Sequence, residues 1–540
     1  MPWSQNYSPV GGIGVSALIA VIPVAVLLAL LAFWHVRAHR AALVALLAAG
    51  AIAVFVYGMP VKLAVAAAGY GAAFGLLPIG WLILNAIFIY QLSVETGQFV
   101  VLQKQIAGIS RDRRIQALLL AFAFGAFIEG AAGFGAPVAI SGALMIGLGF
   151  KPLEAAKLAL IGNTAPVAFG SLGIPLVTMA PVTGLDLQQL SAVVGRQISI
   201  FAFILPFWLI TAQVGWRRMI EVWPACLTAG ATFSIIQFLI SNFHGPWLVD
   251  IVAAAASMVA LLVLMRFWKP REEMVNETPA TPAATPGAPV ATGPAWKAWL
   301  PWIFLTGFVF IWGINPVKDQ LNAWYAPQLP VPGLHLAVQR VPPVVPAGSS
   351  PEKAIFNLNL LSATGTALFL AGIASAIGLG VGFRRALKIY GQTLLRVRVS
   401  LLTISTMMAL GYLTRYGGTD TTMGLAMAGT GWLFPFFSPI IGWLGVALTG
   451  SDTASNVLFG NLQKVSAGQL GFSPMLMCAA NSTGGVMGKM VDAQSIVVAS
   501  VATGGRADSP DAGTVLRSVF WHSIALAALV GLLIMLQSYL

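Results

Sequence analysis

The chain has 540 residues, of which 58% are hydrophobic and only 9% charged, where soluble domains carry roughly a quarter charged. So few charges cannot cover the surface of a water-soluble protein of this length, and a soluble protein is excluded. The net charge of +12 would suit nucleic acid, but Arg37 and Arg40, Arg111 to Arg114, Arg217 and Arg218, Arg266 to Arg271, and Arg384 to Lys388 fall in short links between apolar runs; this is the positive-inside pattern of a plasma membrane protein, and no nucleic-acid partner is expected.

The first apolar runs, Gly14 to Trp34 and Ala41 to Tyr57, approach or exceed the roughly 20 residues that cross a bilayer as a helix. No Lys or Arg precedes the first run, so it lacks the charged start of a signal peptide and reads as a transmembrane helix, with Met1 outside and Arg37 inside. Helices over 13–34, 41–57 and 63–92 then put Arg111 to Arg114 inside. From Arg114 to Lys151 the chain is apolar but broken at its centre by EGAAGFGAP, Glu129 to Pro137. Both ends carry cytoplasmic-type charges, which predicts a re-entrant hairpin entering from inside with this break at its tip. Non-helical backbone at that depth is tolerated only where protein buries it or it lines a wet cavity.

A further break, GNTAP at Gly162 to Pro166, interrupts a helix near 158–180, and Trp247 to Met265, with Asp250 near its start, is another span. Lys269 to Pro294 holds MVNETPATPAATPGAPVATGP; rich in Pro, Ala and Thr, it predicts a disordered cytoplasmic linker. Asn315 to Lys353 is polar and is expected outside, whereas Ile355 to Val381 and Val519 to Leu536 are apolar.

The second half repeats the plan of the first. GFKP (Gly149 to Pro152) is answered by GFSP (Gly471 to Pro474). Upstream of each lies a small, polar break, Glu129-Gly130-Ala131 or Gly450-Ser451-Asp452-Thr453. Downstream lies an Asn-containing break, Asn163-Thr164-Ala165-Pro166 or Asn481-Ser482-Thr483-Gly484. The fold expected is therefore an all-α polytopic membrane protein of about 11–14 transmembrane segments in two repeats, each with a re-entrant hairpin and a broken helix. The first repeat covers 1–268, with its hairpin near 115–150 and broken helix near 158–180; a linker covers 269–298; the second covers 299–540, with hairpin near 438–471 and broken helix near 475–500. Parity makes the second copy inverted, provided Tyr412 to Phe437 does not cross as a full helix.

Broken helices present unsatisfied N–H groups and positive dipole ends, which receive a small anion without a buried cation. The candidate substrate-binding residues are Gly130, Gly133, Gly135, Asn163, Thr164, Ser451, Thr453, Asn456, Asn481, Ser482 and Thr483, where glycines admit close backbone approach and the others supply donors and acceptors. The alternative is that the glycines serve only close helix packing. Lys489 and Arg415 are candidates to pair with a substrate carboxylate, Arg415 alternatively pairing with Asp420. Intramembrane carboxylates are costly and usually functional, so Glu129, Asp452 and Asp492 are candidates for proton coupling, with helix capping the alternative for Glu129 and Asp452. Cys226 and Cys478 are isolated, and the five histidines are scattered. No disulfide, metal site or cofactor is expected, and no catalytic constellation points to an enzyme.

The stretches FIEGAAGFGAPVAI (Phe127 to Ile140), GFKPLEAAKLALIGNTAPVAFGSLGIP (Gly149 to Pro175), LTGSDTASNVLFGNLQ (Leu448 to Gln463) and NSTGGVMGKMVDAQSI (Asn481 to Ile496) resemble the L-lactate permease family, as do VGRQ (Val194 to Gln197), SNFHGP (Ser241 to Pro246) and LSATGTA (Leu361 to Ala367). The resemblance runs from the first helix to the last and weakens in the linker. It implies proton-linked uptake of L-lactate, often with D-lactate and glycolate, across the bacterial inner membrane, and inverted repeats moving in an elevator manner. The surroundings of Arg415 and Asp420, and Val491-Asp492, are more charged than the family pattern. A sodium-coupled or dicarboxylate carrier of the same superfamily is the rival reading. A homodimer and a monomer both stay open.

Overall fold

The computed structural model describes residues 2–32, 34, 36–131, 136–275, 294–346, 348–492, 495–496, 498–500 and 512–540. Among the described residues eleven helices are long and apolar enough to cross a membrane, or twelve if the bent pair Pro152–Gly162 and Val167–Thr183 is one span. The chain is the all-α polytopic membrane protein that its composition requires. Most of the linker, 276–293, lies outside the described residues.

The helices sort by what surrounds them. The most apolar stretch of Ile13–Leu30 is only 28% buried, and Leu18, Leu47, Phe55 and Val65 on the first three spans stand exposed. In lipid such side chains carry no penalty, because hydrocarbon is as apolar as they are. Arg113–Ala131 is the opposite: its apolar stretch is entirely buried. Asp112 caps it, accepting from Arg114 N at 2.8 Å. The buried Arg114 guanidinium then pairs with Asp112 at 2.8 Å and Glu221 at 2.6 Å and donates to Glu272 O at 2.8 Å. A buried arginine is tolerable only with such a full set of acceptors.

Helix Leu187–Val214 connects the two ends of the protein. Its 28 residues extend about 42 Å at 1.5 Å per residue. At its C-terminal part Gln213 donates to Glu154 at 3.1 Å and to Arg113 O at 3.4 Å, and Arg113 N donates to Met274 O at 2.8 Å; this is the linker end. At its start Gln188 donates to Asn242 O at 2.8 Å, and this opposite, loop end carries the polar residues after Asn315. Two short strand pairs form there. β1 (Trp3–Ser4) runs parallel to β3 (Val338–Gln339), and β2 (Gln328–Pro330) runs antiparallel to β4 (Ile355–Asn357). These strands were not expected of an all-α chain, and they lie outside the helical core. Gln5 seats the N-terminal segment by donating to Arg415 O and Tyr416 O at 3.0 and 2.8 Å.

In the second half, Phe434–Thr449 and Asp452–Leu470 fold back on each other at Gly450, whose φ of 73° is left-handed. Tyr539 bonds Trp432 O at 3.0 Å and packs edge-on against Phe472, while Gln469 donates to Pro343 O, so both arms begin and end at the loop end. The intervening Thr419–Met427 stays there too, through Thr422 to Tyr7 O and Asp420 to Asn461. Between Gly417 and Phe434 the chain therefore stays at the loop end. In the first half Arg113 lies over the Phe150 ring, 5.6 Å from its centroid, at the linker end. The sequences GFKP and GFSP thus sit at opposite ends of the molecule.

Candidate functional site

The second-half breaks converge on a directed chain of hydrogen bonds. At the turn of the folded-back pair Ser451 is the cap, accepting from Ala454 N at 3.2 Å. Asp452 is freed from capping and turns inward, where its Oδ2 accepts from Ser482 Oγ at 2.6 Å and Asn456 Nδ2 at 3.2 Å. Asn481 donates to Asn456 Oδ1 at 3.0 Å, Gln463 to Asn481 Oδ1 at 3.1 Å, and Ser438 to Gln463 Oε1 at 2.8 Å. Every amide in the series is oriented by its neighbour, which makes the chain rigid. The one carboxyl oxygen left over, Asp452 Oδ1, is buried without a partner.

Small residues make this convergence feasible. A Cβ on Gly442 would collide with the carbonyl of Asn481, and one on Gly484 with that of Pro439. Backbone meets backbone between Phe434–Thr449 and Pro474–Gly488, so close packing is the role of these two glycines. The expected break at Asn481 to Gly484 falls inside the Pro474–Gly488 helix, and the helix gives out only at Lys489. Lys489 Nζ donates to Gly450 O at 2.6 Å and lies 3.3 Å from Asp492 Oδ2, so the cation closes the carbonyl end of the turn. Asp492 also accepts from Ser495 N at 2.8 Å.

The first-half break is built differently. Pro152–Gly162 and Val167–Thr183 meet at 61° across Asn163 to Pro166. Beyond it Ser171 and Leu172 adopt left-handed φ values of 47° and 59°, at a cost of about 1–3 kcal/mol each. Glu129 lies within the helical stretch Gly125–Ala131 and so does not cap that helix. A Cβ on Gly170 would stand 2.6 Å from Glu129 Oε1, and Glu129 Oε2 is buried without a partner. Asn163 faces the same carboxyl, yet neither of its side-chain polar atoms has a partner in hydrogen-bonding geometry. Thr164 only bonds back to Leu160 O at 3.2 Å. Asn456 joins the two halves by donating to Pro175 O at 3.2 Å, and Thr483 joins its helix to Gln197 at 2.7 Å.

The structure therefore brings Asp452, Asn456, Asn481 and Ser482 into one network, with Lys489 and Asp492 at its edge and Glu129 and Asn163 on the facing break. Thr453 is half-buried beside Asp452, and Gly130 packs against Asp250 and Ile251. Gly133 and Gly135 lie outside the described residues. Arg415 stands apart: it donates to the carbonyls of Pro181 and Val182 at 2.5 and 3.1 Å and lies 3.5 Å from Glu352. Its partner is Glu352, where the sequence offered Asp420. Gln197, Ser438, Gln463 and Asp250 belong to the same surroundings and were not singled out from the sequence. Each is a polar residue in an apolar helix, and that signal was available.

Comparison with known proteins gives this centre a context. The family profile described as L-lactate permease matches residues 16–540. The chain is 43% identical over 555 residues to the glycolate permease of Escherichia coli K12, covering 99% of this chain and 98% of that one. It is 41% identical over 565 residues to the L-lactate permease of Bacillus subtilis 168, covering 100% and 99%, and 42% identical over 546 residues to that of Escherichia coli K12, covering 99% and 98%. Among solved structures, the YdaH transporter of Alcanivorax borkumensis aligns with 87% of this chain and 86% of its own at 13% identity and a TM-score of 0.43, too low to carry an argument. Matched over almost its whole length by a family of permeases, this multi-pass membrane protein belongs to the L-lactate permease family.

Proposed function

We propose that the protein imports L-lactate, together with D-lactate and glycolate, with protons across the bacterial inner membrane by alternating access. The names of the relatives, L-lactate permease and glycolate permease at 41–43% identity over nearly the full chain, support the substrate class. The observation that carries the reading is the facing of two unlike breaks: a rigid donor–acceptor chain from Asp452 to Ser438 on one side, and the orphaned Asn163 and Glu129 on the other. A 2-hydroxy-monocarboxylate has one anion and one hydroxyl to satisfy. Asn163, Ser451, Thr453 and Lys489 supply the donors, Thr164, Ser482 and Thr483 line the pocket with hydroxyls whose protons are already given to Leu160 O, Asp452 and Gln197, and Asn456 and Asn481 fix the geometry. Arg415, tied to two carbonyls and Glu352 at the loop end, is not part of this pocket.

The proton rides on Glu129, with Asp452 and Asp492 as the remaining candidates. An ionised carboxylate buried without donors costs several kcal/mol, and a protonated one far less. In this reading the two repeats are inverted copies, for which the opposite placement of GFKP and GFSP speaks, and one moves against the other to expose the pocket alternately. The positive-inside rule puts the linker end in the cytoplasm and the N-terminus outside.

The test is uptake of labelled L-lactate into proteoliposomes, with a pH gradient and a sodium gradient imposed separately. Accumulation driven by the pH gradient alone is expected; accumulation that needs sodium would favour the rival coupling. Glu129→Gln is expected to lower proton-driven accumulation about tenfold while lowering exchange of lactate for lactate much less. Equal loss of both would make Glu129 structural.

A further inference from the structure

Among the described residues the most isolated carboxyl is one with no role in the account so far. Asp250 lies in the first turn of the apolar helix Val249–Phe267, is 1% exposed, and has no hydrogen-bond partner on either oxygen. Other buried aspartates look different. Asp112 receives Arg114 and two backbone N–H groups, and Asp420 receives Asn461 and Thr421 N. Carboxylates that hold the fold together in this protein come with donors, because a buried charge without them is several kcal/mol too costly.

Asp250 is also placed against the proposed proton site. A Cβ on Gly130 would stand 2.7 Å from Asp250 Cβ and 3.1 Å from Ile251 N, so a glycine is what lets the two helices touch here. Glu129 is the adjoining residue, within electrostatic reach of Asp250 and likewise buried with an unpartnered oxygen. The other charged groups that face Glu129 are Lys489 and Asp492. Of the helices packed on this region, Ala136–Gly147 and Gly170–Thr183 carry no titratable side chain, and Trp223–Phe243 carries only Cys226. Glu154 and Lys157, on Pro152–Gly162, are engaged by Arg113 and by Ala212 O. Trp81–Glu95 contributes Tyr90 and Glu95, and Arg266 lies at the far end of the Asp250 helix.

We propose that Asp250 is a second proton-holding residue of the carrier, paired with Glu129 so that each, when ionised, strengthens the other's hold on a proton. This rests on the proton-coupled reading above. Two like charges confined in a low dielectric repel strongly, so the doubly ionised pair takes up its next proton readily, and such a pair gains and loses its protons as a unit. One proton enters from water on one side, rests on a carboxyl oxygen of the pair while the substrate anion occupies the facing break, and returns to water on the other side. The negative charge of the bound anion disfavours a second negative charge on the pair, which links substrate binding to proton uptake.

The test uses the full-length carrier in proteoliposomes, recording lactate uptake against pH and lactate-induced proton entry with a trapped pH dye. In Asp250→Asn, Glu129 loses its repelling neighbour, so the midpoint of the uptake–pH profile is expected to move down by about one pH unit or more. Asp250→Glu is expected to move it back toward that of the unaltered protein. If Asp250→Asn does not fold, Asp250→Ser takes its place with the same expected shift. A lower rate with an unmoved midpoint would leave Asp250 a packing residue and overturn the proposal. If the unaltered carrier takes up lactate without proton entry, it is the proton-coupled reading itself that fails, whatever Asp250 does.

Discussion

The Asn-containing segments at the centre of the two halves, a break at Asn163 and unbroken helix at Asn481, are written in similar residues and satisfied in opposite ways. Around Asn481 the amides are locked: Asn481 gives to Asn456 and takes from Gln463, and Asp452 takes from Ser482 and Asn456. Around Asn163 they are not, and the side-chain oxygen and nitrogen of that residue, with Glu129 Oε2 and both oxygens of Asp250, are buried without partners. A buried polar group left unmade costs about 1–3 kcal/mol. The contrast is one of degree, since Asp452 Oδ1 and Asp492 Oδ2 are without a hydrogen-bond partner too, and in the proposed reading the more open side is the one that receives the substrate. The left-handed Ser171 and Leu172 place backbone strain on that same side, where strain is associated with binding and switching.

The comparison breaks most severely where the locked side depends on backbone contact. Gly442→Ala would drive a methyl group into the Asn481 carbonyl, displacing the residue that centres the network. Overpacking of this kind costs about 3 kcal/mol, and both arms here are main chain with little room to give. The expected outcome is loss of monodisperse protein on size exclusion, or a steep fall in melting temperature in detergent. A variant that melts with the native protein would show that the two helices are not in backbone contact.

A smaller effect is expected from Asn481→Ala. It leaves Asn456 Oδ1 without its donor and Gln463 Nε2 short of one acceptor, while Gln463 keeps Ser438 O at 2.9 Å. The cost is about 2 kcal/mol, read as a lower melting temperature, with lactate binding weakened in step because Asn456 no longer fixes Asp452. Full stability with weakened binding alone would mean that Asn481 serves the ligand directly.

Much of this was legible in the sequence, for a physical reason. Composition and apolar run length decide a membrane fold almost alone, since helices satisfy their own backbone hydrogen bonds in the bilayer. The polar breaks were visible because Asn, Ser and Asp have few other reasons to interrupt apolar helices. What was not legible is which polar residue finds which. Gln197, Gln463 and Asp250 carry no mark of their partners in the local sequence, and only the packing of distant segments gives Thr483 to Gln197, or sets Asp250 against Gly130. Arg415 was placed by the sequence near a carboxylate, but Glu352 reaches it from the long polar stretch whose docking on the loop end no periodicity foretells. The strands within that stretch escaped for the same reason, being two or three residues long and held by partners far along the chain.

The smallest effect on stability, and the sharpest contrast, belongs to Asn163→Ala. Since neither polar atom of Asn163 has a partner in hydrogen-bonding geometry and its contact with Glu129 is weak, its removal breaks no well-formed bond and withdraws an unsatisfied group from the interior. That gain offsets the small cavity left behind, so the melting temperature should hold to within about 0.5 kcal/mol of folding free energy. Transport should not be spared. If Asn163 is kept open for the substrate, its loss removes a hydrogen bond to a charged ligand worth about 1.5–3 kcal/mol, or tenfold and more in affinity. Stability intact with affinity lost would set it apart from Asn481→Ala, where both fall together. Were Asn163→Ala instead to destabilise the protein as much as Asn481→Ala, the first break would be satisfied in its working state, and the asymmetry between the two sides would lose its functional meaning.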